Sequence, residues 1–177
     1  ATLPSDQVNL LRSLKKPKGG TRLVGELGSL TRSWTGLRHE EAGKWERANE
    51  RDHAWSAPNK TIEELVWKQG VLAEMSAEIG LTTILVLIDI VKCYEKISLT
   101  LLYDKLLFHG FDPTVATVVI RQYMRARLLV FDGAISTVIV ANQAIVAGCS
   151  MAVTFLSVHC LELLDSYREI WPSINMG

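Results

Sequence analysis

Cysteine is scarce in this sequence: Cys93, Cys149 and Cys160 are an odd number with no close pair, which argues against both a disulfide framework and a cysteine-based zinc site. Long apolar runs are absent too. Every such run meets a charge before the length of about 20 residues needed to span a bilayer. The first twenty residues, ATLPSDQVNLLRSLKKPKGG, lack the charged-then-apolar layout of a secretory signal. The expectation is a soluble, intracellular protein in a reducing compartment, with no membrane partner. Net charge is zero, so the molecule as a whole carries no electrostatic footprint for nucleic acid. The common motifs of nucleotide and hydrolytic chemistry are missing as well. No GxGxxG follows a strand, and no GxxxxGK[ST] or GxSxG occurs; His39-Glu40-Glu41 lacks the second histidine of a zinc helix.

What is present is enough to build a core. The 177 residues are 48% hydrophobic and 21% charged, which suits one globular domain or two subdomains sharing a core. Charge is unevenly distributed. Residues 1–60 carry eleven Lys and Arg against seven Asp and Glu, and the remainder carry eight against twelve. Arg12, Lys15, Lys16, Lys18 and Arg22 form a basic cluster with no acid among them. Such a cluster is either a solvated loop or the requirement of a phosphate-binding one.

That cluster falls between two short apolar stretches, VNLLRSL at 8–14 and TRLVGEL at 21–27, joined by KKPKGG. Pro17, Gly19 and Gly20 predict a turn, hence a β-hairpin with a basic tip. Residues 29–52 predict one or two amphipathic helices. From Thr61 to Gly80 the spacing of Ile62, Leu65, Val66, Leu72, Met75 and Ile79 predicts another. Ser98 is a candidate cap for a helix closing at Gly110, and Asp112-Pro113 supplies a cap and first-turn proline for a helix reaching about Arg125. RLLVF and AISTVIV, joined by Asp132-Gly133, predict a second hairpin. Residues 150–167 predict a buried helix, with Cys149 a buried thiol just before it. Strands and helices alternate irregularly, so the fold class expected is α+β.

The tract ILVLIDIVKCYEKI at 84–97 carries the most pointed feature. Five aliphatic residues predict a strand buried on both faces, and Asp89 stands where it ends. A carboxylate there needs water, a cation or a metal, since an unpaired charge in an apolar interior costs several kcal/mol or goes neutral. The strand either stops at solvent, with Asp89 near a Lys or Arg, or presents Asp89 to an ion.

In chain order, KKPKGGTRLVGELGSLTRSW, the helix after Lys60, LVLIDIVKCYEKI, LLYDKLLFHGF, LLVFDGAIS and IVAGCSMAVTFLSVHCLELLD resemble the fingers and palm of a reverse transcriptase of the non-LTR retrotransposon and group II intron type. The resemblance spans nearly the whole chain. It implies a polymerase-like fold with an antiparallel sheet packed on helices: a fingers-like region at 1–80 and a partial palm at 81–177. It further implies an RNA-directed DNA polymerase, a nucleotidyltransferase using two magnesium ions, with an RNA template, a DNA primer and deoxynucleoside triphosphates as partners. Asp89 matches the first catalytic aspartate and metal ligand, with the backbone carbonyl of Ile90 as a second ligand. Lys16 and Arg22 match the residues that contact the incoming triphosphate, Tyr94 the aromatic that blocks a 2′-hydroxyl, and Gly148 the glycine of the loop beside template and nucleotide.

The sequence departs from the family at several points. Leu23 stands where proline is usual, Glu95 where aspartate is common, and Ala147-Gly148 with Ala152 and Val153 where the family has glutamine-glycine and serine-proline. No tyrosine-x-aspartate-aspartate hairpin follows Tyr167. The expectation is therefore a fragment cut before the second catalytic motif and inactive as given. The alternative is a non-catalytic nucleic-acid-binding or structural remnant of a retroelement, whose basic hairpin grips phosphate.

Overall fold

The computed structural model describes residues 8–51, 60–84 and 90–170. The basic hairpin forms as expected. Strands β1 (Val8–Lys15) and β2 (Thr21–Glu26) pair antiparallel from Leu10↔Glu26 to Lys15↔Thr21. Helices α1 (Ser29–Leu37) and α2 (His39–Ala48) follow, then α3 (Ile62–Glu78), α4 (Leu99–Phe108) and α5 (Pro113–Tyr123). The second hairpin is β3 (Ala126–Phe131) with β4 (Ala134–Ile135), and α6 (Ala152–Ile170) completes the described elements.

Local chemistry accounts for the helix starts. Thr61 and Glu64 form a reciprocal capping box at α3, Ser98 Oγ accepts from Leu101 N at α4, and Asp112 Oδ1 accepts from Val115 N at 2.8 Å with Pro113 in the first turn of α5. The core lies among α4, α5 and α6. Leu99, Leu102, Leu106, Val115, Ala116, Val119, Tyr123, Phe155 and Val158 are buried there, and Trp45 of α2 joins them. Phe155 is the hub of the aromatic contacts, edge-on to Phe111 at 5.4 Å and to Tyr123 at 6.1 Å. No residue of α3 is buried, because its apolar positions are spread around the cylinder instead of forming one stripe.

Three expectations require correction. The sheet is mixed, not antiparallel, in the order β2-β1-β3-β4. One edge of β1 is taken by its hairpin partner, and β3 arrives at the other edge, after a long helical crossover, running parallel from Val8↔Ala126 to Arg12↔Val130. One sheet thus joins strands from the two regions distinguished in the sequence. The second hairpin is also shorter than its seven-residue apolar stretch predicts. After Val130↔Ile135 the register slips by one residue before the bridge Arg127↔Ile139. Ser136 causes this: its Oγ takes the Leu129 N–H at 3.0 Å, a place in the ladder that a backbone carbonyl would fill. Residues 137–146 then run free of regular structure apart from isolated bridges at Ile139 and Gln143. α6 begins two residues later than expected and is buried on one face only, at Ala152, Thr154, Phe155, Val158 and Leu161.

Ile84 is exposed and in no strand, while 85–89, the remainder of the expected strand with Asp89, lies outside the described residues. No described helix is long and apolar enough to cross a membrane.

Candidate nucleotide-binding surface

The hairpin tip is closed by Lys16 N donating to Gly20 O at 3.0 Å and Gly19 N donating to Lys16 O at 3.1 Å. Gly19 and Gly20 both have positive φ, which lets the turn close tightly among exposed Lys15, Lys16, Lys18 and Arg22. Two of the nearby cations are engaged: Arg12 with Glu26 at 2.6 Å, and Lys15 with Asp132 at 3.6 Å. Lys16, Lys18 and Arg22 form no ion pair among the described residues.

Below the tip, β2 meets the segment that carries Gly148. Gly25 N donates to Ala147 O at 2.8 Å, and Gly148 has φ +106°. A Cβ on Gly148 would lie 2.7 Å from Gly25 O, while one on Gly25 would overlap Val146 Cγ1. At Gly148 a Cβ would meet backbone, and at Gly25 it would meet the branched Val146 side chain with the Ala147 carbonyl close behind, so neither position has room for a side chain as packed.

Tyr94 sits on the other side of the same segment. Its carbonyl accepts from Ile145 N at 2.9 Å, Ile97 O accepts from Ala144 N at 2.8 Å, and Asn142 O accepts from Leu99 N at 3.2 Å. Residues 94–99 and 142–145 are therefore zipped together. The Tyr94 ring is half-buried against the core. Burial, foremost, raises its hydroxyl pKa above the ordinary 10.0; the negative potential of Cys93 adds to this, and the positive charge of Arg22 opposes it. Arg22 of the hairpin is thus within electrostatic reach of the Tyr94 hydroxyl. Beneath them, Cys149 is buried, as expected, and its thiol lies beside the Tyr123 hydroxyl at a geometry short of a well-formed hydrogen bond. Burial pushes both groups toward their neutral forms.

Backbone contacts link the elements that carry Lys16, Arg22, Tyr94 and Gly148: the hairpin through Gly25 to residues 145–148, and these through Ile145 to Tyr94. Ile90 is exposed at the start of the 91–96 turn, and Asp89 lies outside the described residues. Among the described residues no three His, Cys, Asp or Glu side chains gather where they could hold a metal ion, so the donor set for two magnesium ions is not found there. Two contributors escaped the sequence reading. Gly25 had a usable signal, a glycine inside a strand, which marks close backbone approach. Arg127 had none; its burial becomes evident only in three dimensions. No protein-family model and no curated protein matches the chain.

Proposed function

We propose that this chain is part of a reverse-transcriptase-like polymerase and that its described surface binds the triphosphate and sugar of a deoxynucleotide. The carrying observation is the backbone contact between Gly25 and the Ala147-Gly148 pair, which joins the base of the basic hairpin to the segment that bonds Tyr94. Exposed Lys16 and Arg22, on a hairpin with a glycine-rich tip, supply the charge a triphosphate needs. Tyr94 offers a ring edge against which a 2′-hydroxyl would clash.

The full reaction, RNA-templated addition of deoxynucleotides to a DNA primer, calls for two magnesium ions and several carboxylates. Asp89, with the carbonyl of Ile90, is one ligand position, and no paired aspartates occur in the sequence. On this reading the 177-residue chain binds nucleotide and primer–template without extending the primer. Titration of the intact chain with dATP, followed by tryptophan fluorescence, tests the reading. Saturable binding that weakens about tenfold or more in Lys16→Ala with Arg22→Ala, an energy of about 1.4 kcal/mol or more, supports it. Absence of dATP binding by the unaltered chain sinks it.

The exposed basic tip also favours a second reading, a non-catalytic remnant that grips phosphate backbone. It predicts salt-dependent RNA binding that is lost in the same double variant and unchanged in Asp89→Asn, with no preference for dATP.

A further inference from the structure

Arg127 is the buried charge that the proposed function leaves unexplained. It lies in β3, 6% exposed, with no carboxylate partner among the described residues. Its Nη2 faces three backbone carbonyl oxygens: Tyr123 at 2.8 Å, Ala144 at 3.0 Å and Gln143 at 3.2 Å. Its Nε is buried and has no hydrogen-bond partner among the described residues. A guanidinium keeps its charge, so the interior must supply compensating dipoles; here they come from the end of α5 and from the chain after β4.

Two of those carbonyls, Gln143 and Ala144, belong to a segment with little structure of its own. Residues 137–146 form no named strand, and Ala144 is held at φ +83°, a left-handed conformation unfavourable for a residue with a Cβ. The segment is nevertheless the junction of the candidate surface. Its backbone meets Arg127 itself at Ile139, with N–H to carbonyl distances of 2.8 and 2.9 Å, then Ile97, Tyr94 and, through Ala147, Gly25. Arg127 holds two consecutive carbonyls, Gln143 and Ala144, immediately before the residues that touch Tyr94 and Gly25.

We infer that Arg127 is a positioning residue for the nucleotide-binding surface: its guanidinium fixes residues 143–144 so that Ile145 to Gly148 lie between Tyr94 and the basic hairpin. This rests on the function proposed above for the binding step, while the loop-fixing step stands on the hydrogen bonds alone. Arg127 touches no proposed ligand itself, so its effect on binding is transmitted through the loop.

The test uses the full chain with Arg127→Met, which keeps the apolar stem and removes every donor, and Arg127→Lys, which keeps charge and some donors. Amide exchange at Ile145 and Gly25 reports the loop, because they donate to Tyr94 O and Ala147 O; Leu102 of α4 reports the core. In Arg127→Met, exchange at Ile145 and Gly25 is expected to rise about tenfold or more with Leu102 unchanged, dATP affinity to fall by about the same factor, and Arg127→Lys to restore much of both. Equal acceleration at all three amides, or at none, overturns the inference, as does loosening of the loop with no change in dATP affinity. Should Arg127→Met fail to fold, Arg127→Lys decides alone: it must show a smaller loosening confined to Ile145 and Gly25. If the unaltered chain binds no dATP, the proposed function and the ligand half of this inference fall together, and the exchange pattern still decides whether Arg127 fixes the loop.

Discussion

Gly25 and Gly148 touch through their backbones, on elements more than a hundred residues apart in sequence. A side chain at either position would collide with the other's surroundings, Gly148 against Gly25 O at 2.7 Å and Gly25 against Val146. The contact fixes how the basic hairpin sits on the 145–148 segment. Gly148→Ala meets two penalties, a clash with a rigid carbonyl and a φ of +106° that residues with a Cβ avoid. It is expected to cost about 1–3 kcal/mol in urea-denaturation free energy, the scale of forced backbone strain. Gly148 is exposed and outside the helical core, so circular dichroism should retain the helical signal. An unchanged midpoint would show that the contact contributes nothing.

Tyr123 and Phe155 make opposite predictions from adjacent positions in the core. Among the described residues the buried Tyr123 hydroxyl has no hydrogen-bond partner beyond the thiol beside it, which is a weak one. Tyr123→Phe keeps the ring against Phe155 and removes an unsatisfied polar atom, so the change should be neutral or stabilising by about 1 kcal/mol. Phe155→Ala empties the junction of three rings and should cost about 3–5 kcal/mol. Paired urea titrations check both; a destabilised Tyr123→Phe would mean that the hydroxyl is in fact satisfied.

Asp112 is a cleaner case, since its side chain makes one bond, to Val115 N, at an exposed helix start. Asp112→Ala should cost about 1 kcal/mol, while Asp112→Ser or Asp112→Asn retains a capping oxygen and most of the stability. Equal loss in all three would point to the charge instead of the cap.

Features written in local chemistry were legible from the sequence, and features made by distant approach were not. The hairpin with its KKPKGG tip, the caps at Ser98 and Asp112, and the Asp132-Gly133 turn each depend on a few neighbouring residues, and each formed as expected. The parallel pairing of β1 with β3 depends on which edge of β1 remains open after its own hairpin closes, and no short window of sequence contains that. The early end of β4 was hidden because Ser136 reads as an ordinary strand residue until its hydroxyl is seen replacing a carbonyl. At the candidate surface, Lys16 and Arg22 stood out as charges in a glycine-rich turn. Arg127 looked like the first residue of an apolar strand, and its burial against Gln143 and Ala144 follows from the path of an irregular segment. The expected strand ending at Asp89 falls largely on residues outside those described.

A cluster between α4 and α6 predicts how stability varies with pH. Lys105 Nζ bonds Glu162 at 2.7 Å and the His159 carbonyl at 3.0 Å, while His109 Nε2 stands 3.7 Å from Glu162, beyond a hydrogen bond. His159 Nδ1 is buried without a hydrogen-bond partner among the described residues. Burial, foremost, pushes the His159 pKa below its ordinary 6.5, Lys105 adds to the effect, and Glu162 opposes it. The unfolded chain therefore binds this proton more readily than the folded one. The stability at stake is present above about pH 6.5 and is lost as pH falls through the folded-state value. Glu162 is also shifted down, chiefly by its hydrogen bond from Lys105, and its contribution fades only below its ordinary 4.5, so the two windows separate. Urea denaturation between pH 7.5 and pH 5 should show a decline that begins near the ordinary histidine value, and His159→Gln, which cannot be protonated, should flatten it. A slope unchanged in that variant would assign the decline to another group.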